Sequence, residues 1–138
     1  MNRKFATTLG TATIAAFLGI SALAGPANAG GSIGFYLSPQ SAEDADMMDL
    51  GLRAYSFYKH VRSGADIRQR GQDNYAGVAQ NGRDNVGIVN QRGNGHSATL
   101  RQNGNDNSYG VFQFGRNTDT QIVQDGDGQT GAALLFGW

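Results

Sequence analysis

The sequence contains no cysteine, so no disulfide can staple the fold. It has two prolines, Pro26 and Pro39, and from Ser63 onward it has no proline, lysine or glutamate at all. Hydrophobic residues make up 39% and glycines number 21 in 138 residues, so a conventional packed core would be thin. A repeat architecture or self-association would solve that problem. Charge of either sign is scarce: 11 basic residues balance 11 acidic ones. That balance argues against a nucleic-acid partner, which would need a basic face. His60 and His96 have no neighbours in the sequence that suggest catalysis or metal ligation. The sequence therefore offers no catalytic, cofactor or metal site, and it does not read as an enzyme.

The first 29 residues read as an address. Arg3 and Lys4 give a positive start, an uncharged apolar or small stretch runs from Phe5 to about Leu23, and Ala27-Asn28-Ala29 forms a small-x-small cleavage site. This is the layout of a secretory signal peptide. Gly10, Gly19, Gly25 and Pro26 favour cleavage after Ala29 over a membrane anchor. Losing Arg3 and Lys4 leaves 9 basic against 11 acidic residues, a net charge of −2.

Two regions follow. Gly30 to Pro39 reads as a flexible lead, and Ser41 to Arg62 as a short amphipathic helix. Met47, Leu50, Ala54, Phe57 and Val61 recur at spacings of three and four and predict one apolar stripe. Ser41 is the expected N-cap. Glu43, Asp44 and Asp46 crowd the first turn, and Lys59, His60 and Arg62 the last.

Residues 63–138 form a different region, with fourteen glycines, nine asparagines and nine glutamines. Glutamines stand at Gln69, Gln80, Gln91, Gln102, Gln113 and Gln124, a step of 11 every time. Two places after each stands a glycine: Gly71, Gly82, Gly93, Gly104, Gly115 and Gly126. Two places before each stands an aliphatic residue: Ile67, Val78, Val89, Leu100, Val111 and Ile122. Mostly small residues precede these by two (Ala65, Ala76, Gly87, Ala98, with Tyr109 and Thr120 as exceptions). Polar ones come two earlier again: Ser63, Asn74, Asn85, His96, Asn107 and Thr118. A step of two places all four side chains on one face of a strand. Each unit is then a strand of about seven residues and a glycine-containing turn. A coiled coil of the same period is excluded, because each glycine would cost a helix roughly 1 kcal/mol.

Two units make a strand-turn-strand coil of 22 residues, with coils at 63–84, 85–106 and 107–128 and a degenerate remainder at 129–138. The expected fold is an all-β solenoid of cross-β type. Stacking places Ile67, Val89 and Val111 in one aliphatic column and Val78, Leu100 and Ile122 in the facing one. The six glutamines, with Asn74, Asn85 and Asn107, form amide ladders that only repetition satisfies. The end coils have unfinished ladders and unpaired edges. The apolar remainder Gly131–Trp138 carries no charge to block its end, so the C-terminal end is expected to accept a neighbour. Asp73 and Asp84 are candidate gatekeepers that delay assembly. The competing reading is a monomeric secreted solenoid that binds a glycan or another surface ligand. The uniform outward threonine row of an ice binder is missing. The sequence from Asp125 to Gln129 mimics a calcium loop, but the sixth and twelfth positions are Thr130 and Phe136.

Ser63-x5-Gln69-x-Gly71-x2-Asn74-x-Ala76-x3-Gln80 resembles the curlin repeat at every marked position. The frame continues through Asn85, Gln91, Gly93, His96, Ala98 and Gln102, then through Asn107, Gln113, Gly115, Thr118, Thr120 and Gln124. The resemblance implies a subunit of curli, the functional amyloid fibres of the bacterial surface and biofilm matrix. It implies self-assembly, other curlin subunits or a nucleator as partners, and export through the periplasm by chaperones and an outer-membrane pore. The chain departs from the family in having about three coils, in losing the first serine after the first coil, and in its helical segment before the repeats.

Overall fold

The computed structural model describes residues 30–58 and 64–138. The predicted leader lies outside them, as do Lys59, His60, Val61 and Arg62 of the predicted helix and Ser63 of the first repeat. The described elements are β1 (Ser32–Leu37), α1 (Ala42–Tyr58), β2 (Gly64–Arg70), β3 (Tyr75–Asn81), β4 (Val86–Asn94), β5 (Ser97–Asn103), β6 (Ser108–Arg116), β7 (Asp119–Asp125) and β8 (Thr130–Gly137).

From β2 onward the chain alternates between two sheets. One has the order β1-β8-β6-β4-β2 and the other β3-β5-β7. Every pair from β2 to β8 is parallel, with partners 22 residues apart: Ile67 opposite Val89, Val89 opposite Val111, Val78 opposite Leu100. The fold is a β-solenoid of roughly three turns, 22 residues per turn, preceded by one short helix. Repeating the inward pattern in each unit fixes this register, because a slip of one residue would turn every core side chain outward. Val89, Ala98, Leu100, Val111 and Ala133 fill the space between the sheets and are buried.

The turns carry two left-handed positions each. The first is the repeat glycine. At Gly93 φ is +125°, and a Cβ there would collide with the backbone carbonyl of Gly115 one coil on. The second lies two residues later: Asp73, Asp84 and Asp106 all have φ of 57°, Asn117 has 51°, and glycines occupy the same place at Gly95 and Gly128. Asp and Asn are the side chains that tolerate this region best.

Three features differ from the sequence expectations. Gly30–Pro39 is not a flexible lead. Its central residues form β1, which lies antiparallel on β8 from Ser32 opposite Gly137 to Leu37 opposite Ala132. Gly31 and Trp138 exchange backbone bonds of 3.0 and 2.8 Å just beyond that register. Phe35 meets the edge of Phe136, which stacks on Phe114 at 5.3 Å. The remainder 129–138 is likewise a full strand, β8, in the 22-residue register with β6.

The third difference is the face of α1. Ser41 caps it, its hydroxyl accepting the Asp44 N–H at 3.1 Å. The predicted stripe, however, faces solvent: Met47, Leu50 and Phe57 are 73%, 69% and 80% exposed. The buried face is Met48, Leu52, Tyr55 and Ser56, packed on Val86, Ile88 and Phe112. Both stripes have helical spacing. The outward apolar residues of β4 and β6 select the second, and the helix covers Ile88 almost completely.

Candidate functional site

The inward face of each strand from β2 to β7 carries a glutamine toward its end, and the structure gathers the six into two columns. In one, Gln69 Nε2 donates to Gln91 Oε1 and Gln91 Nε2 to Gln113 Oε1, both at 2.8 Å. In the other, Gln80 donates to Gln102 and Gln102 to Gln124, both at 2.7 Å. Four of the amides also tie the two sheets together. Gln91 Nε2 donates to the Tyr75 carbonyl, Gln102 to Val86, Gln113 to Ser97 and Gln124 to Ser108. Gln91, Gln102 and Gln113 are fully buried, and burial of such a group is tolerable only with these partners.

The asparagines do a different job from the ladder expected of them. Asn74, Asn85 and Asn107 do not bond amide to amide. Each donates Nδ2 to the carbonyl of a turn glycine 19 residues on, in the turn stacked next to its own: Gly93, Gly104 and Gly126, at 2.7–2.8 Å. Each Oδ1 accepts a backbone N–H 22 residues on, from His96, Asn107 and Gln129. They clip one turn onto the next. His96 stands in an asparagine place. Its Nε2 faces the Arg92 carbonyl at 3.2 Å and must donate, which leaves Nδ1 to accept from Thr118 Oγ1 at 2.8 Å.

The ladders have a direction. Every bond between glutamines runs from an Nε2 donor to the acceptor on the C-terminal side. At the N-terminal end β2 and β3 are the outermost strands of their sheets. Gln69 Oε1 and Gln80 Oε1 receive no bond among the described residues. Ile67 is 41% exposed and Tyr75 62%.

The C-terminal end is built differently. Leu135 takes the glutamine place above Gln113 and stops that column. The backbone of β8 is taken by β1. The expectation that the apolar C-terminal residues leave this end open is therefore corrected: a segment from before the helix covers it. Tyr36 reaches over the core and its hydroxyl meets Thr120 Oγ1 at 3.4 Å. Below it Tyr109 lies against Gly131, where an added Cβ would fall 2.5 Å from the ring. Burial pushes the Tyr109 phenol up from 10.0 to about 12, with a smaller push from Tyr36. Beside these, β7 remains the outermost strand of its sheet, under a groove of about 660 Å³ lined by Tyr36, Pro39, Tyr109, Ile122, Gln124 and Thr130.

Asp73 and Asp84 sit in the exposed turns at their left-handed positions. The sequence carried a signal for that position, an Asp, Asn or Gly two places after each turn glycine. Nothing in the sequence pattern marked β1 or Leu135 as end pieces. Among the described residues there is no group of three or more His, Cys, Asp or Glu that could hold a metal, and no helix is long and apolar enough to cross a membrane.

Residues 62–86 and 82–115 match the family model of the curlin associated repeat. No curated protein matches the chain. Both matched segments lie in the ladder-bearing coils, where the chain carries curlin associated repeats.

Proposed function

We propose that the chain is a secreted structural subunit of extracellular curli-type amyloid fibres, joined to its neighbours by stacking coil on coil. The observation that carries this reading is the unfinished N-terminal end. Two parallel strand edges and two glutamine acceptors there await a coil like those within the chain. A stacked neighbour would supply an amide N–H to each acceptor and a strand to each edge, at the 4.7–4.9 Å spacing of sheet neighbours. Such an end-to-end contact is heterologous and does not close.

The match to the curlin associated repeat supports the proposed setting: export through the periplasm and an outer-membrane pore, then assembly at the cell surface for adhesion and biofilm matrix. In that setting Asp73 and Asp84 are gatekeepers, charges in the turns of the first coil that slow premature stacking. Replacing both by Asn keeps a side chain suited to the left-handed turn and should shorten the lag of assembly. An unchanged lag removes that role.

The chain from Gly30 onward, diluted from denaturant into neutral buffer, tests the main reading. It should enter thioflavin-positive fibres, alone or on preformed fibres of a curlin-repeat protein, and give reflections near 4.8 and 10 Å. A β-rich monomer that neither assembles nor sediments with added fibres contradicts it.

A further inference from the structure

The two ends of the solenoid are not equivalent, and their difference has a consequence for how the chain meets its neighbours. We infer that the chain joins a fibre through one end only: its first coil, β2 and β3, docks on the last coil of another curlin-repeat chain that presents a glutamine amide N–H in each sheet. The inference rests on the fibre reading and adds to it which surface joins and what it takes.

Ladder chemistry chooses the partner. The N-terminal end offers two acceptors, Gln69 Oε1 and Gln80 Oε1, and both glutamines already spend an N–H on the coil above. Two such ends meeting head to head would set acceptor against acceptor. The surface therefore takes a donor end.

This chain's own C-terminal end is a poor donor end, for two independent reasons. Its backbone edge at β8 is occupied along six residue pairs by β1, whose antiparallel direction breaks the parallel order of the stack. Its side-chain ladder in that sheet finishes at Leu135, which has no N–H to give. An incoming coil would have to displace β1 and would still bury one amide acceptor over a leucine. Only β7, with Gln124, continues the pattern at that end, and a single strand is half of what a coil needs. A second copy of the chain is thus the disfavoured occupant, and a curlin-repeat chain ending in two glutamine rungs the favoured one.

The test compares three full chains from Gly30 onward. The first is the natural sequence. The second opens the C-terminal end with Ile33→Pro, Phe35→Pro and Leu135→Gln. Gly31 faces β8 with its N–H, so by alternation Ile33 and Phe35 do too, and proline removes both donors. The third blocks the N-terminal end with Ile67→Pro. Gly64 turns its N–H toward β4, so that of Ile67 points away from the stack and proline there leaves the chain's own ladder intact.

The opened chain should elongate at least about tenfold faster than the natural one, the factor that one unpaired buried acceptor is worth. The natural chain, gold-labelled and added to preformed fibres of another curlin-repeat protein, should mark one end of each fibre and stop growth there. The Ile67→Pro chain should mark neither. Natural chains that elongate as fast as opened ones, or that mark both ends, overturn the inference while leaving the fibre reading intact. Failure of the natural chain to bind any fibre overturns both. If the opened chain does not fold, the natural and Ile67→Pro chains on preformed fibres decide the matter by themselves.

Discussion

Leu135 lies one coil above Gln113, in the column where Gln69 hands an amide bond up to Gln91 and Gln91 to Gln113. The substitution of a leucine for a glutamine at that one rung converts a ladder that could run on into one that stops. The inner rungs of both columns, Gln91 and Gln102, have buried amides that are engaged on both sides.

Gln102 is the clearest rung to remove. It accepts from Gln80 and donates to Gln124 and to the Val86 carbonyl, all inside the solenoid. Gln102→Ala orphans those groups and should cost about 1–3 kcal/mol in urea unfolding, beyond the lost packing. Gln69→Ala, at the exposed end, should cost under about 1 kcal/mol. Equal losses would show that the ladder does not carry the stability assigned to it.

The turn glycines predict a second contrast. A side chain at Gly93 meets the Gly115 carbonyl, whereas one at Gly128 meets nothing within 4 Å. Gly93→Ala should lower the thermal midpoint severely or prevent folding. Gly128→Ala carries only the strain of φ at +66°, on the order of 1 kcal/mol. Circular dichroism melts of the two variants check the ranking.

The helix supplies a third. Leu52→Ala should cost about 2–5 kcal/mol as a buried leucine on Ile88 and Val86, and Phe57→Ala, on the solvent side, within about 0.5 kcal/mol. Ser56 is buried at 3% exposure and its hydroxyl has no hydrogen-bond partner among the described residues. Ser56→Ala should therefore stabilise the chain, by up to about 1 kcal/mol, through better helix propensity and the loss of an unsatisfied group. A destabilised Ser56→Ala would contradict this packing of α1.

Alkaline pH tests the covered end. In the folded chain Tyr109 keeps its proton up to about 12, whereas an unfolded tyrosine loses it near 10.0. The stability this burial contributes is complete below pH 10 and is lost as pH rises through about 12. Tyr109→Phe should flatten the fall in melting temperature over that window. A fall of the same depth in the variant would place its origin elsewhere.

The solenoid was legible because its determinants are local and repeated. One glutamine at a step of 11 says little, but six aligned with glycine two places on and an aliphatic residue two places back specify strand, turn and coil together. What escaped was non-repeating. β1 is six residues, and its partner β8 lies about a hundred positions away, so no periodicity links Phe35 to Phe136. The helix carries a second apolar face through Met48, Leu52 and Tyr55, and Val86, Ile88 and Phe112 on the sheet select it over the predicted stripe. The spacing of the asparagines matches that of the glutamines and so predicts rungs. Their shorter side chains reach the backbone of the turns instead.

The most direct test of the central claim is sedimentation of fluorescently labelled chain, from Gly30 onward, with preformed curlin-repeat fibres at neutral pH. Stacking through the first coil predicts that the label pellets with the fibres and that Ile67→Pro abolishes this. Label that stays in the supernatant, with the natural chain folded and monomeric, would contradict a role as a fibre subunit.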